Sequence, residues 1–354
     1  MSQPVTLRDK FYGCLIGVHV GSAMGAPVEG WSWRKIEDTY GTLDKLVSYE
    51  HYNNGWQREP GTTEDGVERQ KLMITAIIEK QDRVNAEDVR KAWVKYIKPE
   101  SAGMISEPFE AVLLAMAKSG IPARDLGKYC DYAGLNSFSR SCHPIGLINA
   151  GDVRGAIEDV LEVGQLYQTS NSRGLRWASV TAAAIAEATK PDATVDQVIG
   201  AIYDHCHEEV VSEIDRELKR TAGIQDFREL RSHFDNVYSG CGVPYCMSYA
   251  NEVVTKAICL FRMTNGKLKE TMISAVNMGR DTDCVTAVSA GIAGALSGSA
   301  GFPEEYVRQV DYATSLHTVS NSQRTIREHA DGVYQAYVSR LRRMSKFASA
   351  MAGL

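Results

Sequence analysis

Apolar residues recur at intervals of three or four along nearly the whole chain, which is the spacing of amphipathic α-helices. Segments with this spacing are Val67–Ile78, Asp88–Ile97, Pro108–Ala117, Ile145–Leu166, Ala178–Ala188, Val253–Arg262, Thr271–Val276 and Val285–Leu296. Hardly any segment alternates apolar and polar residues with the period of two that strands show. No Pro-, Ser- or Gly-rich linker and no internal repeat divides the chain. The pattern therefore predicts an all-α protein with a single helical domain over residues 1–354.

Small residues follow one face of two helical segments, one near the start of the chain and one near residue 290. Glycines recur every four residues at Gly13, Gly17, Gly21 and Gly25, and the segment 285–298 is rich in Ala, Ser and Gly. A glycine inside a helix costs about 1 kcal/mol relative to alanine, so a row of them needs a structural reason. We expect the two helices to pack against each other at short distance in the core.

The 354 residues carry a net charge of −5, from 39 Lys and Arg against 44 Asp and Glu, and 44% of them are hydrophobic. This acidic balance argues against a protein that binds nucleic acid by bulk charge. No run reaches 18 apolar residues, so we expect no membrane span. The stretch Phe11–Val28 resembles a signal peptide, but His19 and four glycines interrupt it. The eight cysteines form no CxxC pair, which favours a reduced cytoplasm.

Acidic residues stand at the starts of two predicted helices, at Glu64 and Asp65, which follow Thr63, and again at Asp281 and Asp283. One such cluster is ordinarily a helix cap. If both clusters converge, four carboxylates share one site, where they repel one another unless cations neutralise them. Oxygen ligands suit hard ions such as Mg²⁺, Mn²⁺ or Ca²⁺, and two divalent ions would balance four negative charges.

Three segments in this order resemble the ADP-ribosylglycohydrolase family: GCLIGVHVGSAMGAPVEGW, TTEDGVERQKLM and NMGRDTDCVTAVSAGIAGALSG. The resemblance implies an orthogonal helical bundle with a binuclear Mg²⁺ or Mn²⁺ centre. Carried over residue by residue, it implies the metal ligands Thr63, Glu64, Asp65, Asp281 and Asp283. The sixth ligand position holds Cys284 instead of threonine, and a thiol is a soft, poor ligand for Mg²⁺. Glu64 replaces the usual aspartate.

The resemblance also implies residues that face the substrate. Glu29 matches an acidic residue on a mobile loop near the scissile bond, and the stretch 136–146 matches a segment that lines the ribose and phosphate groove. We therefore expect substrate contacts from Glu29, Asn136, Ser137, Gly279 and Arg280. Arg280 stands where the family usually has glycine, and it either neutralises the carboxylates or contacts an anionic group of the substrate. Aromatic rings in the loop 49–56, with Trp31 and Trp33, either stack on a base or pack as part of the core or as a lid.

The resulting hypothesis is a metal-dependent glycohydrolase that cleaves an N- or O-glycosidic bond to ADP-ribose or ribose, in a small molecule or on a protein. Such a reaction needs an acid and a base, for which Asp65, Glu64 and Glu29 are the candidates, with Asp65 favoured as the base. Two alternatives stay open. One is a hydrolase of a small ribosylated metabolite or nucleoside, and the other is an inactive ligand-binding or structural relative. The sequence leaves the oligomeric state open.

Overall fold

The structure, a computed structural model, describes residues 5–50, 55–98, 108–130, 133–238, 247–317 and 320–353. Its α-helices are α1 Leu7–Gly25, α2 Trp33–Tyr40, α3 Asp65–Lys80, α4 Ala86–Tyr96, α5 Pro108–Lys118, α6 His143–Ile148, α7 Val153–Val163, α8 Arg173–Ala188, α9 Val195–His205, α10 Glu208–Arg220, α11 Phe227–Tyr238, α12 Ala250–Met263, α13 Leu268–Val276, α14 Thr282–Ser297, α15 Glu304–Leu316 and α16 Ile326–Ala352. Two antiparallel strands of two residues each, β1 Tyr49–Glu50 and β2 Gln57–Arg58, precede α3. The prediction of an all-α fold is confirmed.

Helix α14 lies in the middle of the bundle, in contact with α1, α8, α12 and α13. All of its residues from Thr282 to Ala295 are buried. A helix that is apolar or small on every side has no face for solvent, so it is stable only when other helices surround it. This position places the start of α14, with its aspartates, in the interior of the protein.

The glycines of α1 let its backbone touch that of α14, as the small-residue pattern predicts. A Cβ atom at Gly17 would lie 2.1 Å from the carbonyl oxygen of Ala290, and one at Gly13 would lie 2.5 Å from the carbonyl carbon of Gly298. At the other end of α1, a Cβ at Gly25 would lie 2.6 Å from Cα of Asp283. The two helices are therefore antiparallel, and the end of α1 lies against the start of α14.

The stretch Leu7–Val28 is long and apolar enough to cross a membrane. Within the protein, 94% of its most apolar part is buried. Its apolar character is thus accounted for by its place in the core. The six cysteines in the described ranges are free, and the predicted reduced cytoplasm stays a prediction. Cys241 and Cys246 lie outside those ranges.

The periodic segment Ile145–Leu166 is not one helix, which corrects the sequence reading. Helix α6 ends at Ile148 and α7 begins at Val153. Between them Gly151 has φ +79°, a conformation that glycine adopts without strain, and the carboxylate of Asp152 accepts a hydrogen bond from the Gly155 amide to cap α7. The apolar spacing runs through the break because both helices face the same core.

His143 in α6 is fully buried and is held between two polar groups. Its Nδ1 lies 3.1 Å from the amide nitrogen of Gln70, and its Nε2 lies 3.1 Å from the carbonyl oxygen of Ala287. The amide donates and the carbonyl accepts, so the ring is neutral with its hydrogen on Nε2. Burial lowers the pKa of His143 from 6.5 to about 3.

This pKa shift predicts a loss of stability in mild acid. The unfolded chain takes up a proton at His143 near pH 6.5, whereas the folded chain does not until about pH 3, so stability falls as pH drops below 6.5. Between pH 6.5 and 5 this residue alone should cost about 2 kcal/mol of unfolding free energy. Denaturant unfolding at several pH values measures the slope. His143→Gln should flatten it and the exposed His205→Gln should not; equal slopes in both variants would contradict the assignment.

Candidate active site and metal centre

The starts of α3 and α14 meet at the end of α1, and Arg140 connects them. The Arg140 guanidinium donates to Oδ2 of Asp65, at 2.5 Å, and to Sγ of Cys284, at 3.3 Å. The same group lies 4.0 Å from Oδ2 of Asp283. The two acidic helix starts, more than 200 residues apart in sequence, thus lie side by side. The catalytic and metal-binding roles given to these residues stay predictions.

The start of α14 presents carboxylate oxygens that nothing in the described ranges satisfies. Asp281 is 1% exposed and Asp283 is 2% exposed. Oδ2 of Asp281 accepts a hydrogen bond of 2.9 Å from the side-chain amide of Asn136, but Oδ1 of Asp281 and Oδ1 of Asp283 accept none from a described residue. A buried polar atom without a partner is costly, and a pair of them on neighbouring acids points to a bound cation.

A single ion could be reached by three side chains of this segment. One ligand atom each from Asp281, Asp283 and Cys284 lie within 4.8 Å of one another. The two carboxylates suit a hard divalent ion, whereas the thiol does not. Burial raises the pKa of the Cys284 thiol well above its usual range, and the thiol lies 3.5 Å from Oδ2 of Asp283, to which it donates. The two aspartates therefore fit the metal, and Cys284 is their neighbour.

Glu29 faces the same carboxylates from the loop after α1. It follows the short 3₁₀ turn Ala26–Val28 directly and is half-buried. Burial, followed by the charges of Asp281 and Glu64, raises the pKa of Glu29 well above its usual range. Burial, followed by the charges of Glu29 and Asp281, does the same to Asp283. These groups repel one another, and a cation among them would relieve the repulsion.

At the start of α3, Glu64 already has cationic and hydroxyl partners. The hydroxyl of Tyr49 and the guanidinium of Arg58, at 2.8 Å, both donate to Oε1 of Glu64. Burial raises the pKa of Glu64 to about 7 although the charge of Arg58 opposes the shift. Tyr49 is buried, so its ring packs in the protein, and residues 51–54 of the aromatic loop lie outside the described ranges.

Asp65, the first residue of α3, is held by two arginines. Besides Arg140, the guanidinium of Arg69 lies 3.2 Å from Oδ2 of Asp65, and the Gly66 amide donates to Oδ1 at 2.9 Å. Burial raises the pKa of Asp65, but the charges of Arg140 and Arg69 outweigh it and the net shift is downward. Asp65 is thus a stabilised anion, and its role as the favoured general base stays a prediction.

The remaining predicted residues of this region lie around the acids. Thr63 is buried just before Glu64 and lines a small internal cavity together with Lys71 and Ser320. Asn136 contacts Asp281 and is itself fixed by the backbone carbonyl of Ser248, which accepts from its backbone amide at 2.9 Å. Ser137 is buried and its carbonyl oxygen accepts a hydrogen bond of 3.3 Å from Arg69.

Gly279 and Arg280 form a left-handed turn just before α14. Their φ angles are +75° and +66°, and a Cβ at Gly279 would lie 2.5 Å from the backbone nitrogen of Trp33. The backbone of Arg280 pairs with the loop that carries Glu29. Its amide donates to the carbonyl of Trp31 at 2.7 Å, and its carbonyl accepts from the amide of Gly30 at 2.8 Å. This turn ties the Glu29 loop to the acidic helix start.

The side chain of Arg280 pairs with Glu252, a residue that sequence reasoning missed. Two nitrogens of Arg280 donate to the two oxygens of Glu252, at 2.6 and 2.9 Å. Lys256 donates to the same carboxylate, which is 1% exposed. Glu252 and Lys256 are four residues apart, a pattern that ordinarily marks a solvated helix face. Arg280 therefore neutralises a carboxylate, as one of the two alternatives predicts, but the carboxylate is that of Glu252 and lies outside the predicted cluster.

Fold and site together define a helical protein with a group of buried carboxylates at the start of its central helix. The sequence model of the ADP-ribosylglycohydrolase family matches residues 3–341. The chain belongs to the ADP-ribosylglycohydrolase family, as its motifs indicate, and that family is metal-dependent.

Two relatives and one solved structure are similar to this chain over most of its length. A protein of Archaeoglobus fulgidus that bears the description uncharacterized protein is 26% identical over 313 residues, covering 85% of this chain and 91% of the relative. Uncharacterized protein YegU of Escherichia coli K12 is 23% identical over 304 residues, covering 82% of this chain and 88% of the relative. A solved structure described as an ADP-ribosylglycohydrolase-related protein complex has a TM-score of 0.66 at 16% identity, covering 94% of this chain and 99% of its own.

Proposed function

We propose that this protein is a divalent-metal-dependent glycohydrolase that cleaves an N- or O-glycosidic bond to ADP-ribose or a related ribosyl group. The observation that carries the proposal is the pair of buried carboxylates, Asp281 and Asp283, each with an oxygen that no described residue satisfies. Their place at the start of a central helix, in a member of this family, favours a retained metal site over an inactive relative.

The two aspartates would hold Mg²⁺ or Mn²⁺. When bound, such an ion supplies a positive charge that orients and polarises the hydroxyl groups of a ribose. Asn136 keeps Asp281 in position through its amide. The proposal places the ribosyl group beside these residues, within reach of Glu29.

Of the three candidate acids and bases, Glu29 is the best placed to reach the scissile bond. Glu64 and Asp65 are each only 7% exposed and are held by arginines, whereas Glu29 is half-buried on a loop at the edge of the cluster. A group that transfers a proton to or from the substrate has to lie within hydrogen-bond reach of it. We assign the proton transfer to Glu29 and a supporting electrostatic role to the two residues of α3.

Incubation of the purified chain with ADP-ribosyl-arginine, ADP-ribosyl-serine and a panel of nucleosides tests the proposal. We expect ADP-ribose to be released from at least one of the first two substrates in Mn²⁺ or Mg²⁺, no release in EDTA, and recovery when metal is restored. Glu29→Gln should lower kcat on the order of 10²-fold or more while leaving metal affinity close to that of the wild type. Hydrolysis that continues unchanged in EDTA would contradict the metal-dependent mechanism.

The same assay separates a second candidate, a hydrolase of a small ribosylated metabolite or nucleoside. Arg140 lies in the stretch that the family uses to line its ribose and phosphate groove, but its guanidinium is bound to Asp65 and Cys284. An arginine engaged in this way is withdrawn from the phosphates of ADP-ribose, which favours a smaller substrate. Release of free base or amine from the nucleoside panel alone would select this candidate.

A further inference from the structure

We infer that this site holds one divalent ion, at Asp281 and Asp283, and that the guanidinium of Arg140 occupies the place of a second ion. The inference rests on the proposed metal-dependent function. It departs from the binuclear centre that the family resemblance implies, because the residues of this chain fit one ion and not two.

Arg140 lies between the two helix starts, where a second ion would have to bind. Its guanidinium contacts Asp65 at the start of α3 and Cys284 at the start of α14, and Asp283 lies 4.0 Å away. These are the positions from which the resemblance draws ligands on both helices. An ion that joined Asp65 to α14 would therefore have to displace a buried guanidinium, since Arg140 is only 8% exposed.

The backbone of α3 is shaped to admit this side chain. A Cβ atom at Gly66 would lie 3.0 Å from Cδ and 3.1 Å from Cγ of Arg140, which is closer than side-chain carbons normally approach. Glycine at this position in the first turn of α3 leaves room for the alkyl part of the arginine. The side chain of Arg140 is thus fixed in two ways, by packing of its alkyl part against α3 and by the hydrogen bonds of its guanidinium.

A count of charges agrees with one ion. Arg58 pairs with Glu64, and Arg69 and Arg140 pair with Asp65, so each carboxylate of α3 has a fixed cation from the protein. The buried carboxylates of α14 are Asp281 and Asp283, and each has an unsatisfied oxygen. With Glu29 the site holds five carboxylates against three guanidinium groups, and the two remaining negative charges match one divalent cation, whereas a second ion would bring positive charge next to an arginine.

The departure from the family pattern at Cys284 lies in contact with Arg140. Cys284 stands where the resemblance implies a threonine hydroxyl, which is a hard ligand. In the structure the guanidinium of Arg140 donates to the sulfur of Cys284. A position that has lost an oxygen ligand and gained an adjacent cation is suited to a guanidinium and unsuited to Mg²⁺.

Titration of the metal-free full chain with Mn²⁺ tests the inference. Isothermal titration calorimetry gives the stoichiometry, and electron paramagnetic resonance distinguishes an isolated Mn²⁺ from a spin-coupled pair. We expect one Mn²⁺ per chain and the spectrum of an isolated ion. The double variant Arg140→Met, Cys284→Thr removes the guanidinium and restores a hydroxyl, and should bind two ions with a coupled spectrum.

Two single variants serve as controls. Arg69→Met removes the other arginine of Asp65, whose guanidinium also donates to the carbonyl oxygen of Ser137, and should keep one ion per chain. Cys284→Thr alone retains Arg140 and should also keep one ion. Circular dichroism shows whether the double variant folds, and the single variant still tests the inference if it does not. Two tightly bound ions in the wild type, or in Cys284→Thr, would overturn the inference. No bound ion in the wild type would overturn the proposed function itself.

Discussion

Asp283→Asn is expected to weaken Mn²⁺ binding and ribosyl hydrolysis by at least about 100-fold each. Loss of a residue that only supports a metal ligand costs about 10- to 100-fold, so loss of a ligand itself should cost at least as much. The substitution keeps the volume of the side chain and removes its charge, so the buried site loses half of its anionic ligands. Calorimetric titration with Mn²⁺ and kcat/KM on a cleaved ADP-ribosyl substrate measure the two losses.

A second measurement separates lost metal binding from lost folding. In EDTA, Asp283→Asn should melt at a higher temperature than the wild type, because it removes one of several carboxylates that repel one another in the interior. Added Mn²⁺ should raise the melting temperature of the wild type and not that of the variant.

Asp196→Asn is the matched control for this prediction. Asp196 is the second residue of α9, as Asp283 is of α14, but it is exposed. This variant should leave metal binding and activity at wild-type values. If Asp283→Asn behaves in the same way, α14 does not bind the ion and the proposed active site is wrong.

Gly17→Ala is expected to prevent folding or to cost more than about 3 kcal/mol, the upper part of the range for an overpacked core. The added methyl group would lie 2.1 Å from the carbonyl oxygen and 2.4 Å from the carbonyl carbon of Ala290. Both are backbone atoms of a buried helix, so no side chain can rotate away, and α1 and α14 would have to separate. Denaturant unfolding followed by circular dichroism measures the change.

Gly200→Ala in α9 shows what the same substitution does without the close neighbour. Nothing lies within 4 Å of a Cβ atom at Gly200. Alanine should therefore stabilise the protein by roughly 0.4–1 kcal/mol, because it restricts the unfolded chain and suits a helix. Equal stability of the two alanine variants would contradict the short distance between α1 and α14.

The sequence predicts those parts of the fold that depend on the pattern of one helix face or on the contact between one pair of helices. The four-residue glycine spacing predicted the contact between α1 and α14, because only small residues allow backbones to approach so closely. The break between α6 and α7 was missed although Gly151 and Asp152 mark it, since apolar spacing alone does not register a turn inside a buried region.

The candidate site was predictable in its carboxylates and unpredictable in their partners. Motif order brought Asp65 and Asp283 into one hypothesis, and the structure places them together. Nothing near them in sequence showed that Arg140 would lie between them or that Tyr49 would bind Glu64. Those contacts depend on how the loops pack over the starts of the helices. The path of a loop leaves no periodic pattern and no characteristic composition in the sequence, so the contacts could not be predicted.

The backbone pairing of Arg280 with Gly30 and Trp31 limits how a substrate can enter. Glu29 is adjacent in sequence to Gly30, which makes one of these two hydrogen bonds. We therefore expect the Glu29 loop not to move outward while the turn before α14 stays in place. An opening movement that included Glu29 would also displace the turn before α14. The aspartates would then move, and the proposed ligands of the ion would separate. In the proposed enzyme we therefore expect Glu29 to stay fixed beside the aspartates while a substrate binds.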